Sequence, residues 1–185
     1  MKIISVILML MAASGCQKAA PPPADNSLQR MADAIHKVIE TDRTVYTQMV
    51  VNRLTLQDKV IKASEHWKED KALLLPAQMF RQSAERVNEQ SLGFSYSLIS
   101  PWAINKKNSP RTDAEVKGVE KLKTDSSKAF YADEELGGDK YFTAVYADIA
   151  VADACIDCHN KHKDSPRTDF KKGDVMGAVV VRIKR

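Results

Sequence analysis

The chain has no run of five or six basic residues, no hydrophobic stretch of membrane-spanning length, and only three cysteines among its 185 residues. Each absence excludes something. Its 28 lysines and arginines are interleaved with 24 acids along the whole length, which describes a solvated surface and not a nucleic-acid footprint. The longest apolar stretch, residues 3–13, is about eleven residues, whereas a spanning helix needs about twenty. No nucleophile–base pair, phosphate loop or carboxylate cluster stands out, so hydrolytic or transferase chemistry has nothing to rest on. With 44% apolar and 28% charged residues the composition is that of an ordinary soluble protein, neither disordered nor polytopic.

The first fifteen residues differ from the rest. Met1-Lys2 is a short basic start, residues 3–13 are apolar apart from Ser5, and Ser14-Gly15-Cys16 closes the stretch. This pattern predicts an export signal over 1–15. A buried helix would not run into Ala19-Ala20-Pro21-Pro22-Pro23-Ala24, which cannot continue a helix and reads as a tether over 16–26. Small residues Ala13, Ser14 and Gly15 before Cys16 resemble a lipobox, although Ala13 stands where that pattern prefers leucine. Cys16 is therefore the expected lipidation site, with Gln17 after it favouring the outer membrane and a periplasmic location. The remainder, 27–185, is long enough for one domain with its own core.

The other two cysteines lie in Cys155-Ile156-Asp157-Cys158-His159. C-x-x-C-H is the attachment signature of c-type haem: the gap lets both thiols reach the two vinyl groups, and the next residue offers an imidazole to the iron. A redox dithiol would want a βαβ context that the preceding residues do not supply. A zinc site of Cys155, Cys158, His159 and His162 fails because Cys158 and His159 are adjacent and diverge by about 100° around a helix. The expectation is one covalent haem c, with His159 as iron ligand.

Hydrophobic spacing at Leu28, Met31, Ala34, Ile35, Val38, Ile39, Val45, Met49 and Leu54 predicts a long amphipathic helix, unbroken to about 54 or interrupted near Thr41-Asp42. A second short helix is expected from Thr55 through Trp67, and a third over 77–90 behind Pro76. Residues 93–100 alternate as a strand ended by Pro101. A helix through 108–123 follows, then strands near 129–132 and 140–149 around the Gly137-Gly138 turn, and the haem helix. The β-branched tail 175–183 is the candidate central strand. This order predicts an α+β domain: an antiparallel sheet with helices on one side. Ser-Pro-Arg-Thr-Asp occurs twice, at 109–113 and 165–169, a coincidence of capping chemistry.

Several stretches together resemble the haem c domains of PAS-like fold that occur alone as periplasmic cytochromes and as sensory parts of bacterial kinases, cyclases and chemoreceptors. The likeness rests on Val45-Tyr46-Thr47 with Val50-Val51, Leu75-Pro76-Ala77, residues 94–102, and Cys158-His159-Asn160 followed by His162, Ser165-Pro166, Asp169-Phe170 and Gly173-Asp174-Val175-Met176-Gly177. It implies a single haem c packed on a PAS-like antiparallel sheet with flanking helices and a long N-terminal helix. It also implies redox or diatomic-ligand sensing. Where the resemblance would suggest a thiolate as second axial ligand, no mature cysteine remains to supply it. No kinase, cyclase or signalling helix follows Arg185, so a signal is expected to pass to a separate partner.

Other residues are weighed against plain structure. Trp67, Trp102, Tyr46, Tyr96, Phe80 and Phe94 are read as core, and Arg111, Arg167 and Lys172 as surface charge that could instead pair with propionates. His162 lies too close along the helix to His159 to reach the opposite haem face. His66, beside Trp67 and before the 73–80 turn, is the expected metal ligand on the distal side if any side chain is, with His36 on an exposed stretch near the tether. Met49 and Met79 are read as core. The expected function is an exported, membrane-anchored monohaem cytochrome in redox or gas sensing. The alternatives are periplasmic electron transfer to a redox partner or a haem enzyme acting on peroxide or nitrogen oxides; nucleic acid is not expected as a partner.

Overall fold

The computed structural model describes residues 26–185. The export stretch, Cys16 and all but the last residue of the tether lie outside the described residues. The fold is built on one strand. β6 (Val175–Lys184) is buried at every position from Met176 to Val181, as its unbroken apolar, β-branched sequence requires. It pairs antiparallel with β3 (Phe94–Ile99) on one side and β5 (Asp139–Ile149) on the other, and β5 pairs with β4 (Phe130–Leu136). The β3-β6-β5-β4 order makes the C-terminal strand central.

Helices cover both faces, not one. Because side chains alternate along a strand, Val179, Val181 and Ile183 of β6 pack on one side with Ala144 and Tyr146 of β5, under α1 (Ser27–Val45) and α2 (Pro76–Asn88). Ala178 and Val180 point the other way, with Val145, against Val119 and Leu122 of α3 (Asp113–Thr124). Helices on one side alone would leave one apolar face of β6 uncovered, so the expected one-sided arrangement does not hold.

Three further differences have local causes. No separate helix forms over residues 55–67: 55–57 end the preceding helical segment and 58–67 are loop. The chain leaves α1 in helical backbone, continues as a wide π-helical segment, Tyr46–Gln57, then turns at Lys59 (φ 55°) into a loop held by the two-residue parallel pair β1 (Ala63–Ser64) and β2 (Leu73–Leu74). α3 begins at Asp113, later than expected, because Thr112 and Glu115 form a reciprocal capping box. β4 extends to Leu136 since its acidic residues lie along a sheet edge, with Asp133 and Glu135 exposed. The second Ser-Pro-Arg-Thr-Asp starts no helix and lies in a loop.

β3 and β6 approach closely at the end that faces the site. A Cβ on Gly177 would stand 2.3 Å from the Ile99 carbonyl oxygen, so only glycine fits. The Ser100 hydroxyl donates to the Met176 carbonyl at 2.6 Å, which pins the same corner.

On the α3 face, Arg182 donates to Glu115 at 2.8 Å and to Glu134 at 2.7 Å, all three side chains being largely buried. Burial pushes the Glu134 carboxyl up, but hydrogen bonds from Thr143 and Arg182 together outweigh it, so its pKa falls below the usual 4.5. A depressed carboxylate stabilises the fold above the unfolded value, and that contribution is lost as pH falls through the folded value. The gap in urea midpoint between wild type and Glu134→Gln is therefore expected to be widest at neutral pH and to narrow on acidification below 4.5. A gap independent of pH would refute this linkage.

Candidate functional site

The site begins where β5 ends. Ala150, Phe170 and Met176 form a small buried cluster with Trp102, Cys155 and Ile156 against it, and α4 (Asp153–Lys161) rises from this floor. The π-helical segment fixes the start of α4: the Asn52 side chain accepts from the Ala154 N–H at 3.2 Å, and Gln48 donates to the Val151 carbonyl at 3.1 Å. Its end is fixed by Asn160, whose amide both donates to the Phe170 carbonyl at 2.9 Å and accepts from the Phe170 N–H at 3.0 Å. That pair turns the 162–170 loop back beneath the helix and sets the Phe170 ring edge-on to His159, with centroids 5.8 Å apart. Arg167 lies over both the Phe170 and Trp102 rings and pairs with Asp169 and Asp174. Backed on this side, α4 presents Cys155, Cys158 and His159 to a cavity of about 910 Å³, within the usual size for a cofactor site, about 300–1,000 Å³.

Other walls of the cavity come from Val51, Thr55 and Leu56 of the π-helical segment, the 59–65 loop, the start of α2, and the end of β3 with the stretch that follows it to 108. The loop is tied down by the Tyr46 hydroxyl, which donates to the Leu74 carbonyl at 2.9 Å, and by Gln78, which donates to the Glu65 carbonyl at 2.7 Å. Cys155 and Cys158 are free thiols. Burial raises both thiol pKa values, which keeps the sulfurs protonated and slow to form a disulfide. Burial also lowers the His159 pKa and so favours the neutral imidazole that a metal requires. Its Nδ1 is buried with no hydrogen-bond partner. A buried polar atom left unpaired is costly, and beside two unpaired thiols it fits a site built to hold a haem.

The expected site residues are thus brought together only in part. Cys155, Cys158 and His159 share the cavity with His162. His66 does not reach it: the side chain is 73% exposed and lies 3.6 Å from Glu65, because the 58–72 loop turns it outward. His36, expected on an exposed stretch, is instead a partly buried ring stacked on Tyr146 at 3.9 Å. None of the six aromatic residues weighed lines the cavity, nor do Arg111, Arg167, Lys172, Met49 and Met79. Met49 is exposed, contrary to its reading as core. Sequence reasoning does not place Met176, named there only for the resemblance and the last strand, on the cavity wall, nor does it find the ion pair of Arg43 with Asp148 there. Asp148 had a signal, being the one charged residue in the otherwise uncharged run 141–152.

The chain superposes on the crystal structure of the cyanobacterial heme-protein Tll0287 with a TM-score of 0.56 at 14% identity, covering 87% of this chain and 96% of that one. No curated protein matches it. A family model described as Tll0287-like matches residues 18–184. Since that match takes in nearly the whole chain, the protein belongs to the Tll0287-like family.

Proposed function

We propose that this protein is an exported, lipid-anchored cytochrome carrying one covalent haem c, and that it binds diatomic ligands or senses redox state through that haem. The observation that carries the reading is the presentation of Cys155, Cys158 and an unpaired, buried His159 imidazole to one large cavity. The heme-protein named among its structural relatives points the same way. Each thiol would add its S–H across a vinyl double bond, giving a thioether with no oxidant needed. His159 would supply the axial nitrogen, held in orientation by Phe170 and by the Asn160 pairing behind it. The haem itself would supply one-electron chemistry or an iron site for a small ligand. Export and acylation at Cys16 are part of the reading on the strength of the sequence alone.

An open distal position is favoured over a second protein ligand. Among the described residues, the histidines, methionines and cysteines lining the cavity, apart from Cys155 and Cys158, are His159, His162 and Met176. Met176 packs beneath α4 beside Cys155. The His162 Nδ1 already accepts the Asp164 N–H at 3.1 Å, and its place directly after α4 keeps it on the His159 side. Elsewhere the wall mixes aliphatic and polar side chains with the carboxylates of Glu65, Asp148 and Asp157, and Lys59, Lys62 and Arg81 bring cations suited to propionates. Carbon monoxide added to the reduced, haem-loaded protein is expected to bind rapidly and near-stoichiometrically, shifting the Soret band. A low-spin spectrum unchanged by carbon monoxide would replace this reading with electron transfer.

A further inference from the structure

The sheet uses only one side of α1. Leu28, Ala32, Ile35 and Ile39 face the core, while Met31, Ala34, Val38, Thr41 and Val45 are all exposed. Of these, Val38 and Val45 are 62% and 52% exposed. Their spacing of three and four, repeated at seven, lays an apolar stripe along the helix well away from the sheet-facing side. Thr41 fits the stripe, because its hydroxyl is satisfied by the Lys37 carbonyl at 2.8 Å and only its methyl need face outward.

We infer that this stripe is the seam of a parallel homodimer, in which α1 of one copy packs along α1 of a second. Spacing and charge both point to a second copy as the occupant. With Met31, Val38 and Val45 at the first core position of successive heptads and Ala34 and Thr41 at the other, the seam is self-complementary. Val38 and Val45 are β-branched at the first position, and the small Ala34 and Thr41 at the other let two helices approach closely. Flanking the seam, Lys37 and Asp42 fall at the g and e positions that face each other between parallel chains. Lys37 is exposed and held only by Glu40 on its own helix. Asp42 is exposed and makes no ion pair among the described residues. An antiparallel arrangement would bring neither opposite the other. Five seam residues make a short interface, but α1 is already held helical by the sheet, so the partner need not supply the cost of folding it.

The inference does not depend on what the cavity binds. Its test is sedimentation equilibrium of the full chain carrying Cys16→Ser, so that no lipid drives association. The expected mass is that of two chains, falling to one in Val38→Glu with the far-ultraviolet circular dichroism unchanged. Lys37→Glu and Asp42→Lys should each weaken the dimer by up to about tenfold, and the double exchange should restore it. A monomeric parent chain would overturn the proposal, as would a dimer indifferent to Val38→Glu. A dimer sensitive to Val38→Glu but not to the charge exchange would overturn the parallel pairing.

Discussion

Replacing both Cys155 and Cys158 by alanine is expected to release the haem into acid-acetone, whereas the wild-type protein keeps its colour and one haem mass through the same extraction. Either single variant should retain one thioether, seen as a displaced α-band in the pyridine haemochrome spectrum with no loss of bound haem. The thiols are suited to this role by what surrounds them: both sulfurs are partly buried on α4, unpaired with each other, and protonated at neutral pH because burial raises their pKa values. His159→Ala should mature poorly, since the iron would lose the one imidazole that α4 aims into the cavity without a competing hydrogen bond. Wild-type protein recovered colourless, with two free thiols, from cells competent in c-haem maturation would end the haem reading.

How far sequence reaches depends on whether a feature is local. The C-x-x-C-H spacing, the β-branched tail of β6 and the strand at 93–100 are decided within a few residues, and the elements stand where their periodicity puts them. Features set by distant packing were not legible. The 55–67 segment has helix-compatible residues, yet its path is set by the Tyr46 hydroxyl on Leu74 and by Gln78 on Glu65, contacts 28 and 13 residues apart. His66 was attractive for its neighbour Trp67, but the loop that carries both turns His66 into solvent. His36 was placed on the surface because it sits near the tether in sequence, while stacking on a β5 tyrosine shelters it. Arg43 and Asp148, 105 residues apart, could be joined only once α1 was laid across β5.

That ion pair should be the most sensitive point in the cavity wall. Arg43 and Asp148 side chains are 16% and 9% exposed and in direct contact, and the Arg43 Nε is buried without another partner. Asp148→Ala is expected to destabilise the protein by about 3–5 kcal/mol, because a buried guanidinium left alone keeps its desolvation cost and loses its attraction. A double variant, Arg43→Met with Asp148→Leu, should recover most of that loss, since the cost belongs to the orphaned charge and an apolar pair of similar volume carries none. The two charges also act on the site itself: in the folded protein both influence the Cys155 thiol and the His159 imidazole. In the haem-loaded protein, Asp148→Ala should therefore raise the reduction potential, a lone positive charge disfavouring ferric iron, and the double variant should lie between it and wild type. Urea unfolding and a redox titration of the same variants separate the two effects. A stability loss in Asp148→Ala no larger than that of a surface aspartate would show that the pair is solvated and that the α1–β5 crossing is not a dry wall of the site.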